Sequence, residues 1–232
     1  MHTLKTLFLA LLCLTACQPE VGTEAPGTTT VTLLFTNDVE SAYDPIPAFW
    51  LEDQAMIGGI AEMTTLINDI RQAEPNVFLF DSGDIFTGAL AKLTEGQLAF
   101  ELMITMGYDA MAIGNHEFEY GHEIFSWQKN RAPFPVLGAN FFYKDTNHPY
   151  AQAHAIIERN GIRIGVIGIM GQDAATAIIP SYIAPLDVRV PADAVRKSVA
   201  ELRGEVDLIV LLTHQGKTAP MQTDAESDPR LQ

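Results

Sequence analysis

Gly114-Asn115-His116-Glu117-Phe118-Glu119-Tyr120-Gly121 is the segment around which this chain is organised. It follows a short apolar run at residues 110–113, which has the composition of a buried strand. Between its two glycines lie an amide, an imidazole and two carboxylates, a combination that suits neither an apolar core nor an ordinary surface. The segment is therefore interpreted as catalytic, and other parts of the chain must complete its site.

The composition indicates a folded, acidic protein. Hydrophobic residues make up 47% and charged residues 19% of the 232 residues, enough to bury the core of one sizeable α/β domain. The formal net charge is -15 at pH 7. Because the chain offers no basic surface to neutralise a phosphate backbone, the composition argues against a nucleic acid polymer as a partner. An acidic protein that binds phosphate needs metal cations to do so.

The first residues have the features of an export signal. Lys5 precedes an apolar run at residues 7–14 that is too short to span a bilayer, and small residues then lead to Cys17. This pattern resembles the lipobox of bacterial lipoproteins, and a plain secretory signal is the alternative. The resemblance implies that residues 1–16 are a signal peptide and that Cys17 is lipidated, which would anchor the mature chain to a membrane by lipid.

The expected location is the bacterial cell envelope. Gln18, rather than aspartate, follows the cysteine, which favours the outer membrane and hence the periplasm. Residues 17–30 are rich in Pro, Gly, Thr and Glu and are predicted to form a flexible tether. With Cys13 in the signal and Cys17 lipidated, no cysteine remains for a disulfide or a thiolate metal site.

Strand and helix signals alternate from residue 31 onward, in one domain that spans residues 31–232. The Asn160-Gly161 pair favours the tight turn of a β-hairpin. The order of the elements predicts an α/β fold with layered sheets covered by helices. Strands are predicted at residues 31–36, 76–80, 110–113, 135–138, 155–159, 162–168 and 207–213, and helices at 56–70, 97–106, 122–130 and 192–202.

Polar side chains follow four of the predicted strands. In open α/β sheets the ligand crevice lies outside the carboxyl ends of the strands, so these residues should meet there. Oxygen and imidazole donors without thiolate suit Mn, Zn, Fe or Mg, and so many anionic ligands favour two divalent metal ions that together bind a phosphoryl group. The strand-end segments are Asn37-Asp38-Val39-Glu40, Asp81-Ser82-Gly83-Asp84, Gly114-Asn115-His116-Glu117 and Thr213-His214-Gln215-Gly216.

Most of these residues also have a structural explanation when taken one at a time. Asp38 could belong to a turn, Asp84 could cap one, and His214 could be a hydrogen-bonded core histidine. The Asn115-His116-Glu117 run is harder to explain in that way. The occurrence of such residues at four strand ends together favours a functional site.

Four blocks of the chain resemble the calcineurin-like metallophosphoesterases, and within them the exported 5′-nucleotidase and 2′,3′-cyclic-nucleotide phosphodiesterase branch. The third block is highly specific, and the resemblance extends over residues 31–216. It implies a four-layer αββα sandwich and hydrolysis of a small phosphate ester, a nucleotide in this branch, by metal-bound hydroxide. The blocks are Thr36-Asn37-Asp38, Ser82-Gly83-Asp84, Tyr108-Asp109-Ala110-Met111-Ala112-Ile113-Gly114-Asn115-His116-Glu117-Phe118 and Leu212-Thr213-His214.

The resemblance also implies roles for individual residues. Asp38 would bind one metal, Asp84 would bridge both, and Asn115 and His214 would bind the second. His116 would face the phosphate without binding metal, where it can stabilise the transition state and assist the leaving oxygen.

Two residues depart from the family's pattern. Glu40 stands where the family usually has a histidine ligand; a carboxylate can still bind metal, with a preference shifted toward Mn or Mg. Glu119 stands where the family has the aspartate that pairs with the catalytic histidine, and its extra methylene still allows that pair with His116. Both are therefore retained as candidates, Glu40 as a metal ligand and Glu119 as a catalytic residue.

The chain is also expected to be an incomplete, C-terminally truncated form of the family's domain. Residues 217–232 contain no second histidine block, and no C-terminal substrate domain follows. Two functions compete on these grounds. One is a metal-dependent phosphoesterase; the other is a lipid-anchored binding protein or degenerate pseudoenzyme that keeps the fold without catalysis.

Overall fold

The computed structural model of the chain describes residues 28–53 and 55–216. The chain divides into a short unit, Met1–Thr30, and a large unit, Val31–Gln232, to which every element below belongs. The predicted signal peptide, the lipidation at Cys17 and residues 217–232 lie outside the described residues. Within the described part, no helix has the length and apolar character needed to cross a bilayer.

The elements of the large unit alternate between strands and helices, as the sequence predicts. The strands are β1 (Thr32–Thr36), β2 (Ile46–Pro47), β3 (Met56–Ile57), β4 (Val77–Asp81), β5 (Ala110–Ala112), β6 (Val136–Leu137), β7 (Phe141–Tyr143), β8 (His154–Arg159), β9 (Ile162–Met170), β10 (Leu186–Val188) and β11 (Leu208–His214). The helices are α1 (Ile60–Ala73), α2 (Gly88–Leu93), α3 (Gln97–Met106), α4 (His122–Lys129), α5 (Gln172–Ala175) and α6 (Pro191–Leu202).

The first main sheet is parallel and has the order β1-β4-β5-β6. Every residue of β4 is buried, as expected for a central strand covered on both faces. The register pairs Thr36 with Asp81 at the ends of β1 and β4. The loops that follow these parallel strands therefore leave the sheet at the same edge.

The second main sheet has the order β11-β9-β8. β8 and β9 form the predicted hairpin, in which Asn160 and Gly161 adopt φ values of 52° and 80°, as a tight hairpin turn requires. β11 runs parallel to β9 and pairs His214 with Met170. His214 thus stands at the carboxyl end of the last strand that the structure describes.

The two main sheets pack face to face and are covered by helices on their outer faces. Between the sheets, Phe78 and Phe80 of β4 contact the cluster that contains Val166 of β9. Leu79 points the other way, into the core formed with α1, α3 and α4. On the far side, Ile167 of β9 packs against α6. The layers are therefore α, β, β and α, and the predicted sandwich is confirmed.

One helix boundary and several small elements differ from the sequence prediction. The helix predicted from residue 56 begins at Ile60, because Gly58 and Gly59 adopt φ values of 73° and 94° that end helical geometry. Met56 instead belongs to β3, which pairs with β2. Strands of two or three residues carry little periodic signal; β5 and β6 were predicted from their apolar runs, whereas β2, β3, β7 and β10 were not predicted.

Candidate metal centre

The four predicted strand ends meet at one cavity of about 500 Å³. Asp38 and Asp84 supply carboxylates to its wall, Asn115 an amide and His214 an imidazole, and no lysine or arginine within residues 28–53 and 55–216 lines it. Phe35, Asn37, Ser82, Ala174, Thr213, Gln215 and Gly216 complete the lining. The structure therefore brings these four residues together at one edge of the sheets.

Backbone hydrogen bonds hold the first two loops side by side. The Ser82 amide donates to the Thr36 carbonyl at 2.9 Å, which extends the pairing of β1 and β4 beyond the sheet. The Asp38 amide then donates to the Gly83 carbonyl, and the Glu40 amide to the Asp84 carbonyl, each at 3.0 Å. This ladder keeps the three carboxylates at residues 38, 40 and 84 close together despite their mutual repulsion.

Each of these three carboxylate residues lies in the left-handed backbone region. The φ values are 51° for Asp38, 47° for Glu40 and 64° for Asp84. This conformation is uncommon for residues other than glycine and concentrates at functional sites, where the surrounding structure enforces it. Asp tolerates it better than Glu because a short polar side chain bonds locally, so Glu40 is the most strained of the three.

The Asp84 carboxylate lies between two groups of possible metal ligands. Its Oδ2 is 3.2 Å from His214 Nε2 and 4.0 Å from His116 Nε2. Ligand atoms of Asp38, Asp84 and His214 lie within 4.8 Å of one another, and so do those of Glu40, Asp84 and His116. The side chain predicted to bridge two metals is thus the one shared by both groups.

His214 is oriented with one nitrogen toward the protein and the other toward the cluster. Its Nδ1 lies 3.0 Å from the Ser82 carbonyl, which can only accept, so Nδ1 carries a proton. Nε2 lies 3.0 Å from Asn115 Oδ1. Burial lowers the pKa of His214, but the hydrogen bond and charge of Asp84 outweigh it and raise the pKa to about 9. In this arrangement a proton sits where a cation would be bound.

His116 contacts Glu119, the carboxylate that the resemblance implies as its partner. Its Nδ1 is 2.5 Å from Glu119 Oε2, so the longer glutamate does reach the imidazole. Its Nε2 faces the cluster, 3.8 Å from Glu40 Oε1. Partial burial lowers the pKa of His116, but the hydrogen bond to Glu119 and the charges of Asp84, Glu119 and Glu40 give a net increase. The protonated imidazole is therefore more stable than that of a free histidine.

Glu117 has a supporting role that the sequence did not reveal. Its fully buried carboxylate accepts hydrogen bonds from the amides of Asp84 at 3.0 Å, Ile85 at 2.9 Å and Gly114 at 2.6 Å. Burial and the Asp84 charge raise the pKa of Glu117, while the three amides oppose that shift. The available signal was the position of Glu117 directly before the apolar Phe118, which suggests that its side chain is buried. A buried carboxylate needs hydrogen-bond donors, and the amides of the neighbouring loops can supply them.

The donor set fits divalent cations. Two histidine nitrogens, an amide oxygen and three carboxylates converge on one region, and none of the lysines and arginines that the structure describes lines the cavity. Uncompensated anionic groups repel one another unless a cation lies among them. Oxygen-rich sets with imidazole are typical of Mg, Mn, Zn and Fe sites rather than of thiolate sites.

Two glycines allow the Asp84 loop and the Gly114 loop to touch. A Cβ at Gly83 would lie 2.5 Å from the Gly114 amide nitrogen, and a Cβ at Gly114 would lie 2.3 Å from Asp84 Oδ1. Distances below 3.0 Å are not found for real Cβ atoms. Only a glycine therefore fits at position 114 without moving the Asp84 carboxylate.

We expect Gly114→Ala to destabilise the fold by about 1–3 kcal/mol, because the loops must separate to admit a methyl group. Urea denaturation in the presence of a chelator measures this change without any contribution from metal. Gly216→Ala is the matched control, since nothing lies within 4 Å of a Cβ there. Equal stability of the two variants would contradict the close packing of the loops.

Comparison with known proteins identifies the family. A model of the calcineurin-like phosphoesterase family matches residues 31–229. The chain belongs to the calcineurin-like phosphoesterase family. The resemblance inferred from the sequence is thereby confirmed, and so is its assignment, by family, to the hydrolases.

Several relatives of this phosphoesterase chain are named 5′-nucleotidase, the branch that the sequence resembles. It is 37% identical to a 5′-nucleotidase of Vibrio vulnificus over 220 residues, which cover 92% of this chain and 38% of the relative. It is 34% identical to protein UshA of Escherichia coli over 208 residues, covering 87% and 36%. A 5′-nucleotidase precursor from Thermus thermophilus superposes with a TM-score of 0.73 at 27% identity, covering 87% and 38%. The chain thus spans about 38% of the length of such relatives.

Proposed function

We propose that this phosphoesterase domain hydrolyses phosphate esters of nucleotides with the help of two divalent cations. The observation that carries the proposal is the position of Asp84, whose carboxylate lies in one group with Asp38 and His214 and in a second group with Glu40. A shared carboxylate between two ligand groups is what a dinuclear centre needs. Two cations bound there would neutralise the phosphoryl oxygens and lower the pKa of an attacking water.

The ligands of the two cations come from these groups without His116, whose proposed role is described below. Asp38, Asp84, Asn115 and His214 would hold cations with the oxygen and nitrogen atoms that face the cavity, and Glu40 would add a fifth donor. The Ser82 carbonyl holds one proton of His214 on Nδ1. When the imidazole loses its other proton, from Nε2, the lone pair of Nε2 can bind a cation. The three carboxylates favour Mn or Mg over softer ions.

His116 would act on the leaving group rather than bind a cation. Its Nδ1–H is held by Glu119, so that its Nε2, which faces the cluster, can carry and release a proton. The raised pKa of His116 makes the protonated form more populated than in a free histidine at the same pH. A proton donated from Nε2 to the departing ester oxygen would stabilise the alkoxide as it forms. Glu119 would position the imidazole and stabilise its charge.

The substrate class and the location are part of the same proposal. Relatives named 5′-nucleotidase support a nucleotide as the ester. The export signal predicted at residues 1–16 and the lipidation predicted at Cys17 support a lipid-anchored enzyme of the cell envelope. On this proposal the domain acts on nucleotides outside the cytoplasm.

The proposal is tested by assaying the purified chain against 5′-AMP and p-nitrophenyl phosphate after treatment with a chelator. We expect no hydrolysis without metal, and hydrolysis restored by Mn²⁺, Zn²⁺ or Mg²⁺. Isothermal titration of the chelated chain gives the number of cations bound. A chain that binds two cations and hydrolyses neither substrate, in this form or in a longer form that includes the segments its relatives have, would show that the fold serves binding alone.

A further inference from the structure

Asp81, the last residue of β4, is a buried carboxylate that the proposed chemistry does not use. Its side chain is inaccessible to solvent. Oδ1 accepts a hydrogen bond from the Gly83 amide at 2.7 Å, and Oδ2 accepts one from the Thr36 hydroxyl at 2.6 Å. Burial raises the pKa of Asp81 to about 7, although both hydrogen bonds lower it. Burying a carboxylate is costly, so its position calls for an explanation.

The hydrogen bonds of Asp81 continue through Thr36 to a third strand. The Thr36 hydroxyl lies 2.7 Å from the Tyr108 hydroxyl. Since the single Thr36 proton is donated to the Asp81 carboxylate, Tyr108 must donate to Thr36. Tyr108 lies two residues before β5, the strand that leads to the Asn115 and His116 loop. The chain of hydroxyls and carboxylate therefore connects the three strands that lead to the metal-centre loops.

Asp81 also holds the amide end of Gly83, a residue on which two metal ligands depend. The Gly83 amide is bound by Asp81, while the Gly83 carbonyl accepts the Asp38 amide. Gly83 adopts a φ of 103°, a conformation with few intrinsic constraints because the residue has no Cβ. Contacts from outside must therefore hold this glycine. Its neighbour Asp84 carries the shared carboxylate.

We propose that Asp81 is a positioning residue of the metal centre, which sets the relative placement of Asp38 and Asp84 through its hydrogen bonds to Gly83 and Thr36. The metal-affinity part of this inference rests on the proposed function. Residues that orient metal ligands commonly change metal affinity or activity by about 10–100-fold when they are replaced.

The test compares three variants of the full chain. Asp81→Ala removes both acceptors and is expected to weaken Mn²⁺ binding, measured by isothermal titration, by about 10–100-fold. Asp81→Asn keeps an acceptor for the Gly83 amide and can donate to Thr36, so its affinity should stay within about threefold of the parent. Asp109→Ala is the matched control, because Asp109 accepts the Leu79 amide of the same strand at 2.9 Å but lies away from the cluster.

A second measurement tests the positioning without metal. Amide hydrogen exchange of the chelated chain, followed by NMR, should be faster at Gly83 and Asp38 in Asp81→Ala by about tenfold, and faster at Leu79 in Asp109→Ala. If the parent chain binds no Mn²⁺, the proposed function fails while the exchange result still decides the role of Asp81. Unchanged exchange at Gly83 and Asp38 would overturn the proposal. Equal losses of Mn²⁺ affinity in Asp81→Ala and Asp109→Ala would overturn it as well, since the effect would then be a general loss of stability.

Discussion

Asp84→Asn is expected to remove metal binding and hydrolysis together, with activity lower by at least about a thousandfold. Both ligand groups include the Asp84 carboxylate, so the substitution takes an anionic donor from each of them. An amide oxygen remains, but it carries no charge to hold two cations beside each other. Metal content after dialysis against Mn²⁺, together with turnover of 5′-AMP, measures the two losses on the same sample.

Asparagine is the appropriate replacement because it preserves what Asp84 contributes to the fold. It tolerates the left-handed conformation at φ 64° as aspartate does, and its Oδ1 can still accept the His116 amide, now at 2.8 Å. Asp145→Asn is the matched control, because Asp145 is an exposed aspartate with a similar φ of 59°. Retention of both metals in Asp84→Asn would remove the reason for assigning a bridging role to this residue.

The parts of the fold that follow from sequence are those with a long hydrophobic pattern or a definite turn. The α3 helix was predicted at its observed bounds, because Gly107, with φ 72°, ends it where the sequence indicates. The start of α1 was misjudged, because Met56 continues the spacing of its apolar face although two glycines intervene. Side-chain spacing alone does not show where the backbone leaves helical geometry.

The metal centre was predictable to the extent that its residues stand at strand ends. Asp38, Asp84, Asn115 and His214 each follow or end an apolar run, and parallel pairing brings those ends together. The supports of the site were not predictable in this way. The role of Glu117 in holding two loops together becomes visible only when the three amides that donate to its carboxylate are located in the structure. Which amides converge is determined by packing.

The structure also changes the interpretation of the two departures from the family pattern. Glu119 contacts His116 directly, so the longer side chain preserves the imidazole–carboxylate pair. Glu40 lies near His116 Nε2 and joins the group around Asp84, which is compatible with a ligand. Neither residue therefore favours a degenerate site over a working one. The assignment that needs a direct test is that of His116, whose Nε2 lies within reach of the same carboxylates.

His116→Asn is expected to retain metal while turnover falls by about 10²–10⁴-fold, because the variant lacks the Nε2 proton donor and keeps every proposed ligand. The loss should depend on the leaving group. 5′-AMP departs as a basic alkoxide that needs a proton, whereas p-nitrophenolate departs readily without one. Turnover of 5′-AMP should therefore fall much further than turnover of p-nitrophenyl phosphate, and the ratio of the two separates proton donation from a general defect.

Glu119→Gln is the companion variant, since glutamine can still accept the Nδ1–H of His116 but no longer stabilises the charged imidazole. Its turnover should fall by about tenfold, less than in His116→Asn, with the metal content unchanged. The opposite result is equally informative. Because His116 Nε2 lies 3.8 Å from Glu40 Oε1, loss of one cation in His116→Asn would make the imidazole a ligand of the Glu40 group. Proton donation to the leaving oxygen would then have to come from solvent, and the leaving-group ratio would stay close to that of the parent chain.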